Sequence, residues 1–256
     1  MQNTISYWLR EVKERTACEA WQLARRSFVC ATDASLIVTG PWRMGHKLVT
    51  TDQILRSKLT GADAMEFSPK SDKDQATWGL CSEHAFASWI ARVAGIATYR
   101  ASDVEWTAPQ EIVQGELLAR NDLMIPIGAT IDWFADIDGR RTIIECKTSK
   151  WPQYWKKGPP AKVRAQVIWQ QIVSGVDDAI VMACLAGIAP KSYRIHSTLE
   201  DMESMVDAVR HWIRTVLDPA TGLYAEGRKA EILGFDGTPL FKGQKCRTTS
   251  QKQLQL

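Results

Sequence analysis

The stretch Ala129-Thr130-Ile131-Asp132-Trp133-Phe134-Ala135-Asp136-Ile137-Asp138-Gly139-Arg140-Arg141-Thr142-Ile143-Ile144-Glu145-Cys146-Lys147-Thr148 decides the fold of this 256-residue chain. Two segments with strand character, 129–136 and 141–148, flank Asp138-Gly139. Asp-Gly between such segments signals a two-residue hairpin, because both central residues must take positive φ. That turn makes Ile137 face Arg140 and Asp136 face Arg141. Continued along both strands, the register sets Asp132 opposite Glu145 and Thr130 opposite Lys147. Side chains alternate with period two, so Thr130, Asp132, Glu145 and Lys147 share one face.

Two carboxylates placed directly opposite repel each other unless something positive sits between them. A divalent cation answers that need, and hard oxygens converging on one point suit magnesium or manganese. Lys147 lies one pleat beyond Glu145, placed to orient or activate water at such an ion. The chemistry this suggests is metal-assisted hydrolysis of a phosphodiester. The competing reading is a solvent-facing strand of mixed charge. A second Glu-x-Lys, Glu11-Val12-Lys13, falls in a predicted helix with no partner acid and is read as solvated surface.

Working outward, residues 5–26 carry a helical stripe of Ile5, Trp8, Leu9 and Val12. A short helix is predicted over Ala34–Val38, with Thr32 or Asp33 as cap and Gly40 as stop. Another is capped by Thr51 or Asp52 and ends near Gly61. Residues 66–75 are polar and predicted as loop, followed by a helix over Ala76–Ala94 with Gly95 just past its end. Residues 96–107 and 111–119 are predicted strands. A Lys-, Trp- and Pro-rich loop covers 149–160, then a helix over 161–174, strands at 179–185 and 193–196, and a helix to Val216 opened by Ser197-x-x-Glu200. This order predicts a mixed α/β architecture with a helical N-terminal part.

Composition is that of a globular protein: 45% apolar and 24% charged residues, with a net charge of +3. So mild a balance neither announces nor excludes a nucleic-acid partner, since a basic channel around an acidic site averages to a small number. The six cysteines include no CxxC pair, which argues against a zinc knuckle or an iron–sulfur cluster. The eleven tryptophans are expected mostly in packing positions. No apolar run reaches the ~20 residues of a membrane span. The start, Met1-Gln2-Asn3-Thr4, lacks the pattern of a secretory signal, so a cytoplasmic location is expected.

Two further polar residues stand on apolar stripes. Glu83 shares a helix face with Phe86, Ala87 and Ile90 and should face inward, where it needs a partner; the competing reading is a boundary residue paired with an arginine such as Arg92 or Arg100. Gln166 shares a face with Val163, Trp169 and Val173.

With these residues on the page, the chain resembles the PD-(D/E)XK nucleases and, within them, the YqaJ-like viral recombinase (phage lambda exonuclease) family. Four blocks carry the likeness, over roughly residues 20–215. They are Arg25 to Asp33; Trp78-Gly79-Leu80-Cys81-Ser82-Glu83-His84-Ala85; the pair Thr130-Ile131-Asp132 and Ile144-Glu145-Cys146-Lys147-Thr148; and Ala165-Gln166-Val167-Ile168-Trp169. The chain departs from the family where Ser-Pro-Asp-Gly is usual and Thr130-Ile131-Asp132-Trp133 stands here. It also has Val163 where Tyr is frequent and Ile168 in place of a second glutamine.

The resemblance implies a restriction-endonuclease-like core with a mixed central sheet flanked by helices. One nuclease domain is expected over 1–235, with its helical part over about 1–75 and its catalytic core over about 76–217, followed by a polar, Gln/Lys-rich tail at 236–256 that its composition predicts to be loosely ordered. The resemblance implies a magnesium-dependent exonuclease acting 5′→3′ on duplex DNA ends in phage-type recombination, with manganese as a substitute and no iron–sulfur cluster. Asp132, Glu145 and the main-chain carbonyl of Cys146 would hold the ion, Glu83 would complete the metal environment, and Lys147 would position water; one ion or two is left open. Arg25, Thr32, Thr130 and Gln166 match positions that bind a 5′ phosphate. A ring-shaped homotrimer and a single-strand annealing partner are further implications of the resemblance. Lys150, Trp151, Trp155, Lys156, Lys157, Lys162 and Arg164 are read from their types as a DNA-contact loop, cations meeting phosphates and aromatics stacking on bases. The alternatives are an endonuclease of the same fold and a non-catalytic DNA-binding module.

Overall fold

A computed structural model describes residues 19–44, 47–60, 70–114 and 116–241. Much of the predicted first helix, residues 5–18 with Glu11-Val12-Lys13, lies outside the described residues, as does the tail from 242 onward.

The Asp138-Gly139 turn forms as the sequence requires, with φ of 53° and 73° at its two central residues. It joins β7 (Trp133–Ile137) to β8 (Arg140–Ser149), with Ile137 opposite Arg140 and Asp136 opposite Arg141. The ladder ends at Trp133 and Ile144. The expected strand over 129–136 is in fact two. β6 (Ile127–Thr130) belongs to a separate antiparallel sheet with β5 (Leu117–Arg120) and β4 (Gln110–Gln114). Thr130 therefore pairs with Leu117, not with Lys147, and Asp132 sits at the break between the two sheets.

The larger sheet runs β10-β9-β8-β7-β3, where β3 is Thr98–Tyr99, β9 Asp178–Leu185 and β10 Lys191–Ile195. β8 and β9 are parallel and the other pairs antiparallel. The parallel pair requires a crossover, which is α5 (Ala161–Ser174), stopped by Gly175 in the left-handed conformation. α5 covers one face of the sheet, packed in turn under α2 (Ala31–Thr39) and α6 (Leu199–Trp212). The other face is covered by α4 (Lys70–Ala94). The two faces follow β8's alternation. Ile143 joins the large core with Phe134, Val167 and Trp169. Ile144 and Cys146 pack with Phe86 and Ile90. Each fully buried aliphatic or aromatic side chain contributes roughly 1.5–3 kcal/mol over exposure, so both faces are anchored on the same strand.

The remaining elements are α1 (Glu19–Arg26), the hairpin β1 (Trp42–Met44) and β2 (Lys47–Val49), α3 (Asp52–Thr60), and α7 (Asp218–Ala225) after a wide turn at Ile213–Leu217. Residues 70–75, predicted as loop, are the first turns of α4. The cap of α2 is Cys30, whose N–H donates to Asp33 Oδ2 at 3.1 Å, so Asp33 lies inside the helix. α6 is capped by Thr198 with Asp201, one residue beyond the predicted box. Leu240 and Phe241 are buried beside Leu55, Ala220 and Ile232, so the tail is packed at least to 241. Gly128 is needed for close approach: a Cβ there would stand 3.2 Å from Phe28 Cβ, where residues 28–29 cross β6. Among the described residues no helix is long and apolar enough to cross a membrane.

Candidate active site

The break after β6 turns Asp132 toward β8. Its Oδ2 accepts from the main-chain N–H of Cys146 at 2.8 Å, taking the place of the next ladder bond. The expected opposition of Asp132 and Glu145 thus survives as a neighbourhood, through a side chain on the backbone next to Glu145. Glu145 is 1% exposed. Its Oε1 accepts from Lys147 Nζ and, at 2.7 Å, from Gln166 Nε2; its Oε2 accepts from Gln170 Nε2 at 2.6 Å. Gln170 also reaches the carbonyl of Thr130 at 3.4 Å, tying the end of β6 to the same point.

Burial pushes the Glu145 carboxyl upward in pKa, and the Asp132 charge pushes it further; Lys147 opposes both. Burial alone would lower the Lys147 ammonium, but Glu145 and Asp132 outweigh it and raise its pKa. Lys147 therefore stays a charged donor. Burial, followed by the charges of Asp132 and Glu145, holds the Cys146 thiol well above its usual range, so its side chain is inert there.

The donor set suits a small hard cation. It consists of two crowded carboxylates and a main-chain carbonyl. Among the described residues no group of three or more His, Cys, Asp or Glu side chains converges at metal-holding spacing. Magnesium is commonly held by one or two carboxylates, with water and substrate phosphate completing its six positions. The three donors on Glu145 leave it acceptor capacity, since a carboxylate offers about four lone-pair sites.

Glu83 faces the other side of the sheet. Its Oε2 lies 3.4 Å from Arg100 Nη1, one of the pairings the sequence allowed. Of the four expected phosphate contacts, Gln166 is drawn onto Glu145. Thr130 Oγ1 is buried without a hydrogen-bond partner in the structure. Arg25 and Thr32 gather at the start of α2, where Lys58 Nζ lies 3.1 Å from Asp33 Oδ2 and donates to the carbonyl of Arg25 at 3.0 Å. The two groups meet through α5, since Trp169 Nε1 donates to Val29 O at 3.1 Å.

The loop after β8 is only partly as expected. Trp151 and Tyr154 are exposed, as are Lys150, Lys156 and Lys157, and Lys150 Nζ lies 5.5 Å from the Trp151 ring centre. Trp155 leaves the contact surface: it is buried against Tyr193, with ring centres 5.7 Å apart. Arg164 turns to α6, donating to His196 O and lying 3.6 Å from Asp201. Lys162 stands 3.5 Å over the Trp42 ring of β1, its pKa lowered by burial and by the nearby Lys147.

Two positions bonded to the candidate site residues were missed from the sequence. Gln170 had a signal, standing one helical turn from Gln166 on the same face. Lys58 had none, because its partners, Asp33 and the main-chain carbonyls of Arg25 and Phe28, lie far away in the chain. A cleft of about 470 Å³ opens at the other end of β8, but its Asp178 is already paired with Arg140 at 3.1 Å and Arg194 at 2.9 Å.

No protein-family model matches the sequence, and no curated protein does. Solved structures do. An alkaline exonuclease (LHK-Exo) from Laribacter hongkongensis superposes with a TM-score of 0.50 at 16% identity, covering 80% of this chain and 97% of that one. The same exonuclease in complex with dAMP gives 0.50 at 17% identity, with the same coverage. The chain shares the fold of that exonuclease. A phage related exonuclease from Haemophilus somnus 129PT matches at a TM-score of 0.45 and 14% identity, covering 75% of this chain and 96% of that one.

Proposed function

We propose that this chain is a magnesium-dependent deoxyribonuclease that digests duplex DNA from its ends in the 5′→3′ direction, with manganese as a substitute ion. The observation that carries the reading is the buried Glu145 carboxylate, paired with the half-buried Lys147 and crowded by the charge of the half-buried Asp132, which also acts on Lys147. A globular domain has little reason to crowd a second acid against a buried carboxylate unless a cation or a substrate phosphate uses them. The likeness to an alkaline exonuclease supports a nuclease over other metal-dependent hydrolases.

Asp132, Glu145 and the carbonyl of Cys146 would hold the ion. When bound, the ion supplies charge stabilisation at the attacked phosphate and acidifies water. Lys147 stays protonated and orients water as a donor. Gln166 and Gln170 fix the Glu145 carboxylate from both oxygens. Thr130 offers an uncommitted hydroxyl at the same edge, and Arg25 with Thr32 supplies a fork and a hydroxyl for a terminal phosphate. Trp151 and Tyr154 offer exposed rings on which unpaired bases stack.

The test is digestion of linear duplex DNA labelled at one 5′ end, with magnesium or with chelator, beside a closed circle and a Lys147→Ala control. Loss of the linear DNA alone, dependent on magnesium and on Lys147, is the expected result. A cut circle favours an endonuclease, and no cleavage of either substrate a binding module.

A further inference from the structure

We propose that Arg100 stands where a second cation would otherwise be needed, so that this site takes a single divalent ion and Glu83 is a positioning residue, not a ligand. The inference rests on the metal-dependent reading above. Glu83 is 6% exposed and Arg100 8% exposed. A carboxylate buried that deeply needs a compensating charge, and Arg100 Nη1 supplies it at 3.4 Å. The same Nη1 donates to the main-chain carbonyl of Asp132. The guanidinium lies 3.6 Å from the centre of the Trp133 ring, and Trp133 Nε1 donates to Glu83 O at 3.1 Å. The His84 ring meets the edge of Trp133 at 5.4 Å. Arg100 is itself fixed by its N–H, which donates to Asp103 Oδ2 at 2.8 Å.

This knot lies directly behind the reactive acids. It ties α4, the turn after β3 and the β6–β7 break into one unit. By gripping the Asp132 carbonyl, Arg100 sets the bend that aims the Asp132 carboxylate at the Cys146 N–H. Arginine stays charged at any working pH. A divalent ion at Glu83 would face that permanent charge at close range with little solvent to screen it. Consistently, among the described residues no third acid joins Asp132 and Glu145 at metal-holding spacing.

The experiment is titration of metal-free, full-chain protein with Mn2+, followed by calorimetry and by the electron paramagnetic resonance of the free ion, without DNA. The wild type is expected to bind one Mn2+ per chain, and Asp132→Asn to lose it. Glu83→Gln keeps the single site, weakened by no more than about tenfold, the lower end of what changes beyond the ligand shell cost. Arg100→Lys, which keeps the charge, also stays at one. Two Mn2+ per wild-type or Arg100→Lys chain, or loss of a bound ion in Glu83→Gln, would overturn this inference and leave the metal-dependent reading standing. A wild type that binds no Mn2+ would overturn both.

Discussion

Strand β8 presents two buried acids' worlds to its two faces. Toward α4, Glu83 is answered by a full opposite charge, the stacked and buried Arg100. Toward α5, Glu145 is answered by one lysine shared with a second acid, and otherwise by the neutral amides of Gln166 and Gln170. The first arrangement is complete and rigid. The second leaves negative charge over, and burial makes that surplus costly. The surplus marks where a cation is to come. Burial of an acid alone does not distinguish the two, since both are nearly solvent-free.

The contrast breaks most sharply at Lys147 and Arg100. Lys147→Ala should lower kcat by about 10²–10⁴, the range for losing a group that handles a proton or orients a nucleophile, while the midpoint of DNA binding barely moves. Steady-state digestion beside a binding isotherm checks it. Arg100→Met should act first on folding. Removing one partner of a buried pair costs about 3–5 kcal/mol, because the other charge is left uncompensated. Denaturant unfolding in chelator reads this. An Arg100→Met protein as stable as the wild type would mean that Glu83 is compensated elsewhere.

Which parts of this contrast were legible in the sequence follows from how local each cause is. The Asp-Gly turn fixes its register through its own two residues, so Asp136 against Arg141, and the placing of Glu145 and Lys147 on one face, could be read directly. The break at Ile131-Asp132 could not. Nothing there is Gly or Pro, and the apolar–polar alternation runs on through it. Its causes are distant: Arg100 takes the Asp132 carbonyl, and the Cys146 N–H turns to a side chain. For that reason Thr130 was placed against Lys147 when it belongs to the other sheet. Trp155 and Trp151 look alike in a basic loop, and only the position of Tyr193 decides that one is core. The start of α4 was missed because its residues are polar, and polarity alone separates a solvated helix poorly from a loop.

The glutamine clamp sharpens the α5 side. Gln170→Leu removes the amide donor to Glu145 Oε2 and leaves a buried oxygen facing a methyl group. Because it supports a ligand, the expected result is a magnesium requirement raised about 10–100-fold with a smaller change in kcat at saturating magnesium. A magnesium titration of the cleavage rate measures it. Equal loss at every magnesium concentration would instead make Gln170 part of the reacting shell.

The smallest expected effect tests the surplus charge itself. Asp132→Asn keeps an acceptor for the Cys146 N–H and removes the like charge beside Glu145. It should therefore abolish cleavage in magnesium, and in chelator stabilise the fold by about 1 kcal/mol or roughly 2–4 °C in Tm for a chain of this size. The pH dependence gives the sign. Glu145 has a raised pKa in the folded state, first through burial and then through Asp132, so its contribution to stability is fully present below its unfolded pKa and is lost as pH rises through the folded one. At acid pH Glu145 is protonated and the Asp132 charge costs nothing there. The Tm gain of Asp132→Asn should be near zero there and grow as pH climbs through the raised Glu145 pKa, levelling off above it. A gain that is flat with pH, or a loss at neutral pH, would mean that the two acids do not repel and that the α5 face is already as balanced as the face of Glu83 and Arg100.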